Sequence, residues 1–392
     1  MVVKRKTILL INAEGVQTLC MAKSLRRLGF RVVGFCNHRC SSGYFTRYLS
    51  KKYKSPDITL SQPQFREFLF SYLRKNYVEL VIPLADDGAR FLSENKGVIE
   101  KEFDTTCAVP SFDIFDEASD KQKLMELCEK IGANHPRTRE LTLDNLKEAS
   151  EYVGFPAMIK PNLSQGAKGI VRVNDMGELE YKAPDILQQF GSCTLQQFIE
   201  QPKHYYNVML YRDSNGNITG TTVIKIRRYF PLKGGSSCYC ETVIMPELVD
   251  QCCFVLEKLN WHGFADFDVL EDIHTGTLNV IEINPRVPSS FQAAFAAGVD
   301  FGKCFVSDYL YHIDTDFDFK EDQQIRWMGL DVMWFLFSKD RFQFKPSWFR
   351  FFGSNVSYHD GSWSDPLPMI SGMFAGVVKY LNPSFRKAKL KQ

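Results

Sequence analysis

From Gly263 to Arg286 the chain alternates apolar and polar residues along two arms joined by a short polar turn, a pattern that leaves little freedom in what it can form. The first arm reads Gly263-Phe264-Ala265-Asp266-Phe267-Asp268-Val269-Leu270, the turn lies around His274-Thr275-Gly276, and the second arm reads Leu278-Asn279-Val280-Ile281-Glu282-Ile283-Asn284, followed by Pro285 and Arg286. Period-two alternation on both sides of a Gly-containing turn predicts a β-hairpin, in which side chains at i and i+2 share a face. Asp266 and Asp268 therefore project together, as do Glu282 and Asn284. Three carboxylates and an amide on one face repel one another unless a cation or a buried donor set neutralises them. Oxygen ligands without His or Cys suit a hard cation, Mg2+ first with Mn2+ as the alternative, bound through one or two carboxylates plus substrate phosphates. Arg286, fixed by Pro285 just past the strand end, stands where a phosphate would reach that ion. The competing reading is a solvated polar face on an edge hairpin.

At 392 residues the chain suits two or three domains rather than one core. A formal net charge of +2 gives no whole-molecule field that would argue for nucleic acid. The 11 cysteines are scattered, odd in number and without a CxxC pair, which fits buried thiols in a reducing compartment. Cys36 to Cys40 with His38 lacks a fourth ligand at a zinc spacing. No signal-peptide h-region and no apolar run of membrane-spanning length is evident, so a cytoplasmic protein is expected.

Along the chain, Thr7 to Ile11 and Phe30 to Phe35 read as strands flanking a helix that ends at Gly29, a βαβ opening. Its loop has one glycine, Gly15, and no G-x-G-x-x-G, which argues against a dinucleotide cofactor. A third strand, Val78 to Ile82, leads to Asp86 and Asp87, which can either cap the next helix or touch substrate. Ser119 or Asp120 caps a helix with Leu124, Leu127, Cys128 and Ile131 on one stripe, ended by Gly132. An α+β texture with antiparallel sheet follows from Pro136 to Asn284, and beyond Asp314 aromatic and basic residues crowd together up to a basic tail at Ser384 to Gln392. The expected division is 1–112, 113–313 and 314–392.

Two elements upstream of the acidic hairpin suit a phosphate. The strand Ala157 to Lys160 ends in a lone buried lysine that needs a partner, and Ser164-Gln165-Gly166-Ala167-Lys168-Gly169 is small and flexible enough for backbone N–H groups to wrap phosphate oxygens. In this order and spacing, ahead of Glu282-Ile283-Asn284-Pro285-Arg286, the chain resembles the ATP-grasp superfamily, in particular its carboxylate-amine ligases and carbamoyl-phosphate-synthase-like members. The resemblance covers roughly Asp116 to Asp308 and implies a βαβ, Rossmann-like domain at 1–112, then an ATP-grasp domain with ATP between a smaller lobe (about 120–197) and a larger one (about 198–313), then an accessory region. It implies Lys121 and Lys160 as phosphate-binding lysines. It also implies 164–169, with Ser164, Gly166 and Gly169, as the loop over the phosphates, and Leu195 to Glu200, with Gln196, Gln197 and Ile199, as the hinge whose backbone reads adenine. Asp268, Glu282 and Asn284 match the family's Mg2+ ligands, and Arg286 the arginine that meets the transferred phosphate. Members often hold ribose with an acid after the hinge; here the region reads Lys203-His204-Tyr205-Tyr206-Asn207, leaving His204 as the candidate.

The resemblance implies an ATP-dependent ligase that phosphorylates a carboxylate and passes the acyl group to an amine, both small molecules. Such transfers need positioning and charge neutralisation rather than a side-chain nucleophile. Arg227 or Arg228, of which strand alternation lets one face the site, would pair with the acceptor carboxylate, and Gly234, Gly235 and Ser236 would offer backbone donors to the acyl phosphate. A surface strand with a flexible turn is the competing reading of that stretch. Phosphorylation of a small acid without an amine, and a nucleotide-binding scaffold without turnover, are the alternative functions; the joint retention of Asp268, Glu282, Asn284 and Arg286 argues against the scaffold. For Trp327 to Phe352 the favoured reading is the core of a small accessory domain or a homo-oligomer contact, since no amphipathic stripe emerges; an interfacial patch on a membrane is the other.

Overall fold

The computed structural model describes residues 6–163, 168–232 and 235–372. Strands β1 (Thr7–Ile11), β2 (Arg31–Cys36), β3 (Lys51–Lys54), β4 (Leu80–Pro83) and β5 (Thr106–Cys107) form a parallel sheet in the order β3-β2-β1-β4-β5. β1 and β4 are buried throughout and read as continuous apolar runs, as strands covered on both faces must. Winding reverses between these two neighbours, so the loops leaving their C-terminal ends open a crevice of the kind in which α/β sheets bind ligands. The helix Asp86–Phe103 starts at that crevice. Sequence alternation revealed β1, β2 and most of β4 but not β3, whose Lys51-Lys52-Tyr53-Lys54 is an edge strand kept polar.

Strands β6 (Thr138–Leu141), β7 (Ala157–Pro161), β8 (Val171–Val173) and β9 (Cys193–Gln197) make a separate antiparallel sheet in the order β6-β9-β7-β8. Helices Leu146–Val153 and Met176–Phe190 close its core through Ala149, Val153, Leu179 and Ala183. The third sheet holds β10 (Tyr205–Arg212), β11 (Ile218–Phe230), β12 (Ser236–Val243), β13 (Gly263–Glu271), β14 (Leu278–Asn284), β15 (Gln324–Arg326) and β16 (Val356–Tyr358), in the order β14-β13-β10-β11-β12-β15-β16. One face, with Val208, Leu210, Phe267 and Val269, packs on helices Pro246–Lys258 and Lys121–Ile131. The other, with Met209, Tyr211, Ile224 and Ile226, packs toward Leu10, Met21 and Leu25 of the parallel-sheet unit. The last two strands, beyond Asp314, thus extend this sheet.

The extension is bolted on by charge. Asp331, on the helix Met328–Phe337, accepts from Arg228 (Nε to Oδ1 2.7 Å, Nη2 to Oδ2 2.9 Å) and from Arg326 (Nη2 to Oδ2 2.6 Å). None of the three side chains is more than 1% exposed. Two arginines on one carboxylate leave the group net positive, and the rings of Tyr239, Trp334 and Trp348 that lie over the guanidiniums offset part of that charge.

Candidate functional site

The acidic hairpin is formed by β13 and β14, with Asp268 opposite Glu282 and Asp266 opposite Asn284. All four share the face toward the parallel-sheet unit, because Met209 and Asn207 of β10 stand opposite Asp266 and Asp268. Asn207 Nδ2 donates to Asp268 Oδ1. The ladder shifts register between Asp268 and Val269, which ends strict alternation just where the two acids meet.

Lys121 reaches the hairpin from its flank. Asp120 caps the helix Lys121–Ile131 by accepting from the N–H groups of Gln122 and Lys123, and Gly132 ends it with φ +74°, the left-handed conformation glycine favours. The cap places Lys121, 3% exposed, with Nζ 3.4 Å from Glu282 Oε1. The N–H of Lys121 also donates to the Asn162 carbonyl at 3.3 Å, so the four-stranded lobe is tied to the same helix end. From that lobe comes Lys160, buried on β7, whose Nζ donates to Gln196 Oε1 at 2.5 Å. Burial lowers the Lys160 ammonium to about 8, against the raising influence of Glu282 and Asp268, which puts it within electrostatic reach of the hairpin.

The acids carry the complementary strain. Burial first, then the charge of Glu282, pushes Asp268 up to about 7. Asp266, 2% exposed, is driven well above the carboxylate range by burial and by Asp268, which together outweigh the opposing pull of Arg286, whose Nη1 is 3.6 Å away. Arg286 instead places Nε 3.1 Å from Asp86 Oδ1 and donates from Nη2 to Asn284 Oδ1 at 3.1 Å. Asp86 leads the helix at the parallel-sheet crevice, so that unit aims the arginine. A cleft of about 430 Å³ opens here, lined among others by Ser61, Asp86, Lys121, Leu163, Glu282 and Asn284. Carboxylates that raise one another's affinity for a proton are a fitting cradle for a dication, which would relieve the repulsion that protonation otherwise relieves.

Several expectations need correction. Arg228 cannot meet a substrate carboxylate, because it is buried against Asp331. Burial alternates along β11 so that Arg228 lies on the same side as Ile226 and Phe230, under the helix that carries Asp331. Arg227, about one-third exposed, pairs with Glu241 at 2.8 Å. At the hinge, part of the backbone is already engaged: Gln196 is central in the ladder, Gln197 N–H donates to the Arg137 carbonyl and Phe198 N–H to that of Pro156. Ile199 is the first hinge residue past these bonds. The Gln196 side chain holds Lys160 instead and donates to Thr138 Oγ1 at 3.0 Å. Neither Asp86 nor Asp87 caps its helix, since the N-cap is Ala85; Asp87 accepts from Asn12 Nδ2 at 3.2 Å. His204 lies in a polar trio, with Nε2 2.9 Å from Glu271 Oε2 and 3.3 Å from the Tyr206 hydroxyl, and burial lowers its pKa.

Gly169 has φ +74° and no room for a Cβ, which would stand 2.5 Å from Phe190, so the loop's return demands glycine. Gly235 is equally confined against Phe230, and Ser236 opens β12. Ser164, Gly166, Gly234 and the basic tail lie outside the described residues. Asn207 and the Gln196 side chain are the site residues that sequence reasoning missed, and the contact of Asp86 with Arg286 is one it did not foresee; only the register of β10 and the packing of the crevice reveal them.

A four-stranded antiparallel lobe that brings one buried lysine to the acidic hairpin of a larger antiparallel sheet, with a second lysine at a capped helix start, is the arrangement that a resemblance to the ATP-grasp superfamily implies. Residues 120–305 match the family described as the carbamoyl-phosphate synthase L chain, ATP binding domain, so that this segment is of the ATP-grasp type. It is 22% identical over 315 residues to the D-aspartate ligase of Enterococcus faecium, covering 70% of this chain and 71% of that protein. It is 25% identical over 271 residues to the carbamoyl phosphate synthase large chain of Pseudarthrobacter chlorophenolicus, covering 63% of this chain and 23% of that protein, so the chain spans about a quarter of the synthase it matches. The biotin carboxylase of Campylobacter jejuni, solved with an ATP analogue, superposes with a TM-score of 0.68 at 16% identity, over 82% of this chain and 74% of that one.

Proposed function

We propose that the protein is an ATP-dependent ligase that joins a small carboxylic acid to an amine through an acyl phosphate. The observation that carries this reading is the convergence of Lys121, Lys160, Asp268, Glu282, Asn284 and Arg286, drawn from two sheets and a helix that packs between them, beside a cleft roomy enough for a small substrate. The relative named a D-aspartate ligase, matched over most of both chains, supports the same direction.

In this reading Lys121 and Lys160 hold the ATP phosphates, and Asp268, Glu282 and Asn284 hold the divalent ions, Mg2+ by the hardness of their oxygen donors. The ion, when bound, supplies neutralisation of the phosphate charge. Arg286, aimed by Asp86 and Asn284, stabilises charge on the transferred phosphoryl group. Backbone at Ile199 and beyond meets adenine, Gly169 anchors the end of the phosphate loop, and Gly235 with Ser236 faces the acyl group. An acid oxygen attacks the γ-phosphorus as the bond to ADP breaks; the amine then attacks the acyl carbon and phosphate leaves. The units 1–112 and 113–313 serve as substrate wall and nucleotide clamp, and the described part of 314–392 as sheet extension. A second reading, phosphorylation of a small acid without an amine, is favoured by the carbamoyl-phosphate synthase type of the matched domain.

Incubation with ATP, Mg2+, hydroxylamine and a panel of carboxylic acids tests the proposal. An acid-dependent hydroxamate with matching ADP supports it, whereas the absence of ADP with every acid and amine pair contradicts it. Glu282→Gln should abolish ADP release and keep the wild-type circular dichroism spectrum; wild-type turnover would overturn the metal assignment.

A further inference from the structure

The segment from Leu336 to Phe352 presents a surface used by neither the core nor the candidate nucleotide site. Trp334 is buried, with Phe344 and Trp348 packed partly against it, as a small accessory core requires. Phe342, Phe349 and Phe352 are not part of that core: they are 72%, 57% and 80% exposed. The Phe342 and Phe349 rings both stand edge-on to Phe335, at 5.5 and 5.7 Å, so the three form one continuous apolar surface rather than isolated exposed rings. Leu336 and Phe337, also exposed, follow Phe335 on the same helix end.

Charge decides what this surface suits. Lys339, Arg341, Lys345 and Arg350 are interleaved with the aromatics, and the guanidinium of Arg341 lies over the Phe342 ring at 5.4 Å. The one acid of residues 336–352, Asp340, is paired with Lys203 at 2.6 Å and so leaves the basic charge uncancelled. The sequence continues to Arg386, Lys387, Lys389 and Lys391, all of the same sign. A two-fold contact with a second copy would set these cations against their own counterparts. An anionic lipid surface accepts both halves: rings enter the headgroup boundary while lysine and arginine stems keep their charges at the phosphates.

We propose that this aromatic and basic face docks the protein peripherally on an anionic membrane. No helix among the described residues is long and apolar enough to cross one, so the attachment is interfacial and reversible.

Co-sedimentation of the full chain with phosphatidylglycerol vesicles and with phosphatidylcholine vesicles tests this. Binding to the anionic vesicles alone, weakened by salt, is expected. Lys339→Ala with Lys345→Ala should lower the partition coefficient roughly 30-fold, from the charge contribution of two basic residues. Phe342→Ser with Phe349→Ser should lower it by about tenfold or more through lost apolar burial. Both double variants should keep the wild-type melting temperature within a few degrees; should the phenylalanine pair fail to fold, the lysine pair still decides. No sedimentation with anionic vesicles overturns the proposal. So does a concentration-dependent dimer in analytical ultracentrifugation that the phenylalanine pair abolishes, which would assign the face to self-association.

Discussion

Replacing Asp268 by asparagine should stabilise the metal-free protein at alkaline pH and remove its response to Mg2+. The Asp268 carboxyl sits at about 7 instead of 3.8, because burial and Glu282 both oppose its charge. A folded-state pKa raised above the unfolded one means that the charged form costs stability; the cost is fully present above pH 7 and fades as the pH falls toward 4. At about 1.4 kcal/mol per pH unit, the displacement sets an upper bound of ~4 kcal/mol at pH 8. Asparagine keeps an oxygen to accept from Asn207 Nδ2, so the substitution removes charge and little else. With about 2–4 °C per kcal/mol for a domain of this size, the variant should melt several degrees above wild type at pH 8 without metal, and the gap should shrink by pH 5. Mg2+ should raise the melting temperature of wild type and leave the variant nearly unmoved. Differential scanning calorimetry at the two pH values, with and without MgCl2, makes the measurement. A metal-free variant that melts below wild type at pH 8, or equal Mg2+ stabilisation of both proteins, would refute the account of the hairpin.

Other consequences follow from single contacts. Lys160, lowered to about 8, loses its charge as the pH rises through that value, so ATP affinity measured by calorimetry should weaken up to tenfold per unit above pH 8, and Lys160→Met should bind weakly with that dependence gone. Asp86→Asn removes the carboxylate 3.1 Å from Arg286 Nε; kcat should fall by about 10- to 100-fold while the ATP dissociation constant changes little, and an equal loss in both would make Asp86 a binding rather than a positioning residue. Asp331→Ala strands Arg228 and Arg326 as buried unpaired charges and should cost about 3–5 kcal/mol in denaturant unfolding, whereas a change under 1 kcal/mol would show that the pair is not needed to hold the extension.

The parts of this molecule that were legible in the sequence are those whose geometry is local. The β13–β14 hairpin announced itself because alternation on two arms around one turn fixes which side chains share a face, and that alone brings Asp266, Asp268, Glu282 and Asn284 together. Lys160 ends a buried strand, a short-range signal, whereas Lys121 was reached only through the family resemblance. What stayed hidden depends on distant pairing. Arg228 looked available until an acid 103 residues away claimed it. The hinge glutamines looked free along the backbone, but β9 lies between β6 and β7, and only the strand order shows that the N–H groups of Gln197 and Phe198 are taken. Composition flagged the aromatic segment without separating Trp334, which is buried, from Phe342 and Phe352, which are not.

The central claim is that these residues drive phosphoryl transfer from ATP to a carboxylate oxygen. With a carboxylic acid that supports ADP release, labelled with 18O in its carboxyl group, 31P NMR of the phosphate produced reads that oxygen directly. One 18O atom per phosphate, formed in step with ADP, is the predicted result; unlabelled phosphate, or label appearing in AMP, would contradict it.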